Sequence, residues 1–355
     1  MKTAIVSSYC DWNSVGSVLQ AQALQETLNT IGVKSAVLRK REVVDVRKIF
    51  LEAKTIKQAV ATAIDWLDLA NMGKRKRKNE EYIARKIRNY VFEKYEDVFV
   101  NIPQADVYIA GSDQIWNPRI DRPDFFLQYV EESSKCISYA ASLGVSVLPK
   151  EQCEQFTEKF RKFSHISVRE SDMVQTLEGL VPVKPVVHID PTLLKTPEEW
   201  RKDSKEYKVR KPYILVYPIF WKREFNSELK ELHKRTGCDI ISIHYGVRNI
   251  YCTKQIQDVD PGEFIWLVDH AEGVVTSSFH GVAFSIIFNK KFSAVINPQS
   301  PSRIQSLLGL LGITTPEIAG CCSDFDVDYA AVNRKIKLEK ERSLDYLRSA
   351  IFDDA

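Results

Sequence analysis

The stretch "VVTSSFHGVAFSIIFNKKF", Val274–Phe292, is mostly apolar but carries a histidine, a glycine and adjacent serines near its centre. The residues before Thr276 have the apolar, β-branched character of a buried strand. A second apolar run, "VAFSIIF", follows and ends at Asn289 and two lysines, which is typical of a helix. The stretch therefore predicts a strand, a tight turn and a buried helix, with His280 in the first turn of that helix.

The same alternation of strands and helices runs through the chain. A strand "TAIVSSY", an amphipathic helix that ends at Gly32 and a strand "KSAVLRK" make a βαβ unit. After a polar, charged segment the pattern restarts with "YILVYPI" at Tyr213. We predict an α/β protein with two Rossmann-like, doubly wound domains that face a cleft, where ligands of such folds bind. The predicted units are 1–195, 212–325 and a C-terminal helix, 326–355, that packs back on the first half.

The composition is that of an ordinary globular protein. The chain has 355 residues, of which 44% are hydrophobic and 27% charged, and a formal net charge of +3 makes no strong case for a nucleic-acid partner. The first residues have too short an apolar run for a signal peptide, and no stretch approaches ~18 uninterrupted apolar residues. We therefore expect a cytoplasmic protein. Seven cysteines without a C-x-x-C pair favour reduced thiols over disulfides or a structural zinc.

Six motifs follow one another along the chain in a fixed order. They are "NSVGSVLQAQAL" (Asn13–Leu24), "YIAGSDQIWNP" (Tyr108–Pro118), "ISYAASLG" (Ile137–Gly144), "SVRES" (Ser167–Ser171), "HIDPTLL" (His188–Leu194) and "SSFHGVAFSIIFNKKF" (Ser277–Phe292). In this order they resemble the motifs of polysaccharide pyruvyl transferases, over about residues 1–315. Six ordered motifs are far more specific than a single glycine-rich loop.

The resemblance implies two domains similar to the GT-B architecture of glycosyltransferases. It also implies an enzyme that transfers the pyruvyl unit of phosphoenolpyruvate onto a sugar as a cyclic ketal and releases phosphate, with no cofactor and no metal. The implied role is in capsule or exopolysaccharide biosynthesis, where the saccharide acceptor is carried on a lipid at the inner face of the membrane.

Two other functions stay open. A nucleotide-sugar glycosyltransferase of the same architecture would need to recognise a base and a ribose, and the second half has no clear acidic residue for the ribose. A non-catalytic sugar- or lipid-binding protein would keep the fold and would not need His280.

The predicted donor site centres on His280. Phosphoenolpyruvate carries a carboxylate and a phosphate, which favour the free N–H groups and the dipole of a helix N-terminus. The pKa of a histidine lies near the working pH, so we predict that His280 protonates the methylene carbon of the donor. Arg169 is predicted to bind the donor carboxylate through two parallel hydrogen bonds, although an ion pair with Glu170 is the structural alternative. The other predicted donor-binding residues are Ser277, Ser278, Gly281 and Arg303.

The chain departs from the family pattern at one position of this motif. Many members have an arginine two residues before the histidine, whereas this chain has Ser278. A cation for the donor phosphate is then missing, and Arg303, which opens a predicted helix, is the candidate to supply it.

The predicted acceptor site lies in the first half of the chain. Its residues are Asn13, Gly16, Ser112, Asp113, Gln114, Trp116 and Asn117. A cluster of acidic, amide and aromatic side chains suits sugar hydroxyls and the apolar face of a sugar ring. The structural alternatives are a helix cap at Ser112 or Asp113, a core position for Trp116 and a tight turn at Asn13 and Gly16. His188 and Asp190 are interpreted as hinge residues with a structural role.

A basic, helical insertion is predicted over residues 45–100. Lys and Arg fill positions 74–78 and recur at 85, 86 and 88, with apolar side chains between them. A solvated helix face is one interpretation of the 74–91 segment. Another is an amphipathic surface on anionic membrane lipids, where each basic residue adds roughly 1 kcal/mol. RNA is a weaker third alternative.

Overall fold

The computed structural model describes most of the chain. The described residues are 1–41, 56–101, 103–120, 122–245, 249–298, 300–316, 318–322 and 327–353, and for 56–70 only the backbone is described. Within them the strands form two large parallel sheets, one in each half of the chain, and a small third sheet.

The first half is built on a six-stranded sheet with the order β3-β2-β1-β4-β5-β6, in which every neighbouring pair is parallel. Its strands are β1 Lys2–Ser7, β2 Val33–Lys40, β3 Asn89–Phe92, β4 Val107–Ala110, β5 Cys136–Ser138 and β6 Phe163–His165. This order reverses between β1 and β4, and the crevice at such a point is where doubly wound sheets bind ligands. Beside it, β7 Ser167–Val168 and β8 Val186–Val187 form a two-stranded parallel sheet.

The second half is built on a five-stranded parallel sheet with the order β11-β10-β9-β12-β13. Its strands are β9 Tyr213–Tyr217, β10 Asp239–Ile243, β11 Lys254–Ile256, β12 Gly273–Thr276 and β13 Phe292–Ala294. The order reverses between β9 and β12, so this sheet also has a ligand-binding crevice at its centre. His280 follows β12 directly.

Helices cover both sheets. The α-helices of the described residues are α1 Val15–Thr30, α2 Ile56–Lys86, α3 Tyr95–Val100, α4 Cys153–Phe160, α5 Asp172–Thr176, α6 Pro197–Arg201, α7 Phe225–Thr236, α8 Pro261–Asp269, α9 Phe279–Ile287, α10 Ser302–Leu311 and α11 Tyr329–Phe352. Short 3₁₀ turns lie at Pro123–Phe126, Lys150–Gln152, Pro191–Leu194 and Ile318–Gly320. None of the described helices has both the length and the apolar character needed to cross a membrane.

The predicted helical insertion contains a strand. Residues 89–92 form β3, which pairs with β2 at the edge of the first sheet, so the prediction of a wholly helical 45–100 segment is wrong. Only Phe92 of this short strand is buried, and so few residues carry no readable alternation of apolar and polar side chains. The part of the prediction that covers residues 45–55 lies outside the described residues.

The basic helix α2 packs between the two halves. Its Lys78 binds Glu263 of α8 at 3.0 Å, and its Lys86 pairs with Asp203. Three apolar side chains of the 74–91 segment are buried in the protein core: Tyr82, Ile83 and Ile87. A membrane-bound amphipathic helix would need those side chains in contact with the lipid. The predicted membrane surface therefore lacks most of the apolar side chains that would bind it to a membrane.

One apolar core connects the halves. It contains Val6 of β1, Leu215 of β9 and Leu347 of α11. The hydroxyl of Tyr346, on α11, also donates to the Ser138 carbonyl of the first half at 2.8 Å. The two halves are therefore packed together, and the carboxyl ends of β1 and β12 face each other across the contact between Gly16 and His280.

Candidate active site

The turn after β12 places His280 where the sequence predicts it. β12 ends at Thr276 and α9 begins at Phe279, which confirms the predicted strand, turn and helix. Ser278 is the N-cap of α9, and its Oγ accepts a hydrogen bond from the Gly281 N–H at 3.4 Å. A cap of this kind satisfies one of the free N–H groups at a helix start. Ser278 Oγ and the Gly281 amide therefore stabilise the start of the helix, and the donor-binding role of both residues stays a prediction.

Ser277 also has a structural role. Its Oγ accepts from the Ile219 and Phe220 N–H groups at 2.9 and 2.8 Å and donates to the Phe220 carbonyl at 2.7 Å. These bonds fix the segment that follows β9 against the segment that follows β12. The hydroxyl therefore has no free hydrogen-bonding position for the donor substrate. For this reason the structure does not support the prediction for Ser277.

His280 lies in the contact between the halves. A Cβ at Gly16 would lie 2.2 Å from His280 Nδ1, so only glycine permits the imidazole to pack on the first turn of α1. His280 Nε2 is buried, has no hydrogen-bond partner among the described residues and lies 3.8 Å from Asp190 Oδ2. Burial lowers the pKa of His280, although the Asp190 carboxylate opposes this shift. The imidazole is therefore neutral at pH 7 in this structure.

Asp190 is the centre of the site and was interpreted as structural from the sequence. Its Oδ1 accepts from the N–H and the hydroxyl of Thr192 at 2.9 and 2.7 Å. Its Oδ2 accepts from Arg169 Nη1 at 2.8 Å and from Ser112 Oγ at 3.2 Å. Burial alone would raise the pKa of Asp190, but the charges and hydrogen bonds around it hold that pKa below its usual value. The signal in the sequence was an ionisable residue after strand β8 and before Pro191, at a strand end where ligands bind.

Arg169 is surrounded by carboxylates. Besides Asp190, its Nε donates to Glu170 Oε1 at 3.1 Å, and its Nη2 lies 3.6 Å from Asp113 Oδ1. Its guanidinium also lies 4.0 Å from the centre of the Phe279 ring. Burial alone would lower the pKa of Arg169, but the three carboxylates raise it, so Arg169 stays charged. Nη2 lacks a hydrogen-bond acceptor among the described residues, so its N–H groups are available to a ligand, and the two parallel hydrogen bonds to a carboxylate stay a prediction.

Arg303 lies beside Arg169 in a small cavity. The cavity has a volume of about 130 Å³, and Arg169, Arg303, Asp190 and Phe279 line part of it. Burial, followed by repulsion from Arg169, lowers the pKa of Arg303. Arg303 Nε is buried without a hydrogen-bond partner, and no described carboxylate forms an ion pair with this side chain. Two neighbouring cations with free donors make the cavity suitable for an anion.

The residues predicted to bind the acceptor fall into two groups, and three of the seven, Gly16, Ser112 and Trp116, are buried. Trp116 is fully buried, packs on Phe126 and donates from Nε1 to the Phe125 carbonyl at 3.2 Å. It belongs to the core, so the prediction of a sugar-binding ring at Trp116 is wrong. Ser112 is also fully buried and supports the Asp190 carboxylate.

Asp113, Gln114 and Asn13 lie close to the cations. Asp113 faces Arg169 and has a φ of 72°, an unusual backbone conformation for a residue other than glycine. The Gln114 oxygen accepts from Arg303 Nη1 at 2.7 Å when the amide is oriented to satisfy its neighbours. Asn13 is exposed, and its Oδ1 accepts from Arg75 Nη2 at 3.0 Å. The structure therefore brings two of the predicted acceptor residues, Asp113 and Gln114, next to Arg169 and Arg303.

Asn117 lies one turn after Gln114, where its N–H donates to the Gln114 carbonyl at 3.2 Å. Across the described parts of the chain, no three His, Cys, Asp or Glu side chains are arranged to hold a metal ion.

A family model described as "Polysaccharide pyruvyl transferase" matches residues 15–299, which include Gly16, Arg169, Asp190 and His280. The chain belongs to the polysaccharide pyruvyl transferase family. The family is one of transferases in polysaccharide biosynthesis, so the chain is a transferase of this kind. A search of curated protein sequences found no significant match.

Solved structures show that the fold of this pyruvyl transferase family member is GT-B. Arabidopsis thaliana UGT89C1 complexed with UDP is 9% identical, with a TM-score of 0.53 over 99% of this chain and 100% of the other. The spinosyn forosaminyltransferase SpnP is 10% identical, with a TM-score of 0.52 over 99% and 100% of the two chains. The UDP-GlcNAc 2-epimerase of Methanocaldococcus jannaschii is 9% identical, with a TM-score of 0.50 over 94% and 91%. At these identities the likeness concerns the fold alone.

The contact between Gly16 and His280 leads to a first prediction. Gly16→Ala puts a Cβ within 2.2 Å of Nδ1 and must push the imidazole aside, whereas the backbone of helix α1 accepts alanine readily. Because displacement of a reacting group by about 1 Å costs roughly 10²-fold in rate, we expect transferase activity to fall by about that factor. Thermal denaturation should show an unchanged or only slightly lower midpoint.

Gly73→Ala is the matched control, since a Cβ at Gly73 on α2 meets no atom within 4 Å. It should keep full activity. Normal activity in Gly16→Ala would show that the position of His280 in this structure is not the active one.

Proposed function

We propose that the chain transfers the pyruvyl group of phosphoenolpyruvate to a saccharide as a cyclic ketal and releases phosphate. The observation that carries the proposal is the juxtaposition of His280 with two buried arginines. His280 Nε2, Arg169 Nη2 and Arg303 Nε are all buried polar atoms without a hydrogen-bond partner among the described residues. Buried polar atoms are nearly always satisfied, so three such atoms on neighbouring side chains indicate a site for a polar ligand.

Within the cluster, Arg303 is the residue that favours an anionic donor. Arg169 has three carboxylate neighbours, but Arg303 has no ion-pair partner among the described residues. A phosphate oxygen of the donor would give Arg303 that partner. In the proposed complex Arg303 binds the phosphate, in place of the arginine that many family members have at the position of Ser278. Arg169 Nη2 then binds the carboxylate.

His280 moves one proton in the first step. In its neutral form Nε2 accepts the proton of the attacking sugar hydroxyl as the new C–O bond forms at C2 of the donor. The imidazolium is stabilised by Asp190 and gives a proton to the methylene carbon, C3, where the electron pair of the breaking C2=C3 π bond forms the new C–H bond, so C3 becomes a methyl group. One proton leaves the hydroxyl and one arrives at C3, so His280 ends the step neutral. This order agrees with the lowered pKa of His280 better than an imidazole that is already protonated.

The second step closes the ketal. A second hydroxyl of the same sugar forms a bond to C2, and the bond between C2 and the phosphate oxygen breaks. The phosphate leaves with the electron pair of that bond and takes up the proton of the second hydroxyl. Arg303 stabilises the negative charge that develops on the leaving group.

The acceptor is proposed to be a lipid-linked precursor of a capsule or exopolysaccharide. Exposed basic side chains of the 74–91 segment include Lys74, Arg85 and Arg88. In the proposal these side chains attract anionic lipid headgroups mainly by charge, because Tyr82, Ile83 and Ile87 of the segment are buried. The enzyme would then work in the cytoplasm at the membrane surface.

A nucleotide-sugar glycosyltransferase remains the alternative activity on this fold, and two of the similar structures were solved with UDP or act on a UDP-sugar by name. Incubation with phosphoenolpyruvate and with UDP-sugars, each with candidate saccharides, separates the two activities by the donor that is consumed. A sugar- or lipid-binding protein would consume neither.

The next prediction concerns His280 itself. His280→Ala should keep the fold and the affinity for phosphoenolpyruvate but lose turnover by about 10²–10⁴-fold, the usual contribution of general acid–base catalysis. Phosphate release in the presence of an acceptor measures turnover, and calorimetry measures donor affinity. His270→Ala makes the same chemical change on the surface of the same half, where the ring is exposed. It should change neither turnover nor donor affinity. Turnover near that of the parent in His280→Ala would reassign His280 to a structural role.

The lowered pKa of His280 predicts the pH dependence. Because the neutral imidazole begins the reaction, kcat/KM should stay level from pH 8 down to the ordinary histidine value of about 6.5 and fall only at lower pH. A protonated starting form would instead lose activity as the pH rises through that value. A pH profile in buffers of constant ionic strength distinguishes the two, and activity that falls as the pH rises from about 6.5 to 8 would contradict the proposed order of proton transfer.

A further inference from the structure

Arg75 differs from the other basic residues of the 74–78 run because it is buried. Only 4% of the residue is exposed, and its guanidinium lies 3.6 Å from the centre of the Tyr245 ring. The ring of Trp12 is 5.6 Å away. Arg77, two positions further on, has 73% of its side chain exposed. The run is therefore not a uniform solvated face, and one of its cations points into the protein.

The partners of Arg75 are neutral. Its Nη2 donates to Asn13 Oδ1 at 3.0 Å and its Nη1 donates to the Gln257 carbonyl at 3.2 Å. No ion pair joins it to a carboxylate of the described residues, whereas Lys78 and Lys86 on the same helix both have one. A buried cation without a counter-charge is costly, so its retention indicates an anion that the protein binds.

Two buried donors at this place lack acceptors. Arg75 Nε and Trp12 Nε1 are both buried and have no hydrogen-bond partner within the described chain. Trp12 itself is only 3% exposed. An indole N–H usually finds a partner when it is buried. Two unsatisfied donors beside one uncompensated cation make a built site for an oxyanion.

The location connects this site to His280. Asn13, which binds Arg75, precedes the Ser14 cap of α1, and Gly16 in the next turn packs on His280. Tyr245 and Gln257 belong to the second half, so the site spans the same cleft as the candidate active site. Arg303 and Arg169 line a separate cavity beside Asp190 and are assigned to the donor.

We propose that Arg75 and Trp12 form a subsite for a phosphoryl group of the saccharide acceptor. A phosphoryl group offers several oxygens, so it can accept from Arg75 Nε and Trp12 Nε1 together and lies near the start of α1, where a helix favours an anion. The donors are covered in this structure, so the ligand enters when Tyr245 and Gln257 separate from Arg75. The identification of the ligand as an acceptor rests on the proposed pyruvyl transfer.

The test uses calorimetry on the full chain with inorganic phosphate and with glucose 1-phosphate, at constant ionic strength. The parent should bind glucose 1-phosphate in the presence of saturating phosphoenolpyruvate. Arg75→Gln should weaken that binding about tenfold to a hundredfold, the range for a charged hydrogen bond. Arg77→Gln, on the exposed side of the same helix, should bind like the parent.

Trp12→Phe keeps most of the packing and removes only the N–H, so it tests the site even if Arg75→Gln does not fold. It should weaken the binding of glucose 1-phosphate about twofold to tenfold. Equal binding by Trp12→Phe and the parent, or by Arg75→Gln and Arg77→Gln, would overturn the proposal and make Arg75 a contact that only joins the halves. Binding of inorganic phosphate without glucose 1-phosphate would also overturn it.

The inference and the proposed function fail in different ways. If phosphoenolpyruvate does not bind while glucose 1-phosphate binds in an Arg75-dependent manner, the donor assignment is wrong and the phosphoryl subsite stands. If phosphoenolpyruvate binds normally and Arg75→Gln has no effect on glucose 1-phosphate, the subsite is wrong and the donor assignment stands.

Discussion

The Asp190 carboxylate is the interaction on which the site depends. It belongs to the first half of the chain, and it binds Arg169 at 2.8 Å while it faces His280 of the second half at 3.8 Å. Both of its oxygens accept hydrogen bonds, Oδ1 from Thr192 and Oδ2 from Ser112 and Arg169. Because its position is fixed by these bonds, Asp190 fixes in turn where a cation and an imidazole meet between the two halves. A small relative movement of the halves would change the distance to His280 without disturbing the bonds to the first half.

In the proposed site, Arg303 takes the place of the arginine that the chain lacks at position 278. Arg169 is already neutralised by three carboxylates, so it holds the cluster together more than it attracts a ligand. Arg303 comes from a different helix, α10, and supplies a cation that no described carboxylate neutralises. Ser278 is then free to cap α9, which keeps His280 in the first helical turn. In the proposal, the arginine missing at position 278 is thus replaced by Arg303 in the same cavity.

Sequence patterns predicted the strands and helices that have a local signature. They did not predict the contacts between side chains that lie far apart in the chain. The strand, turn and helix around His280 could be predicted because β-branched residues, a serine cap and an apolar run each have a local signature. The strand β3 could not, since only Phe92 in it is buried. Trp116 was assigned to a sugar site because nothing in the sequence shows that Phe126 and Phe125 enclose it. Asp190 was assigned to a hinge because, apart from the neighbouring Thr192, its partners come from three distant segments of the chain.

In the proposed reaction a pyruvyl ketal forms as a proton is added to the methylene carbon of phosphoenolpyruvate. Nuclear magnetic resonance of the product made in D₂O from donor labelled with ¹³C at C2 and C3, together with the phosphate released, tests this directly. We expect a labelled quaternary ketal carbon bonded to a CH₂D group, formed in equal amount with phosphate. Labelled free pyruvate as the only product, or saccharide modified while the labelled donor stays intact, would contradict it.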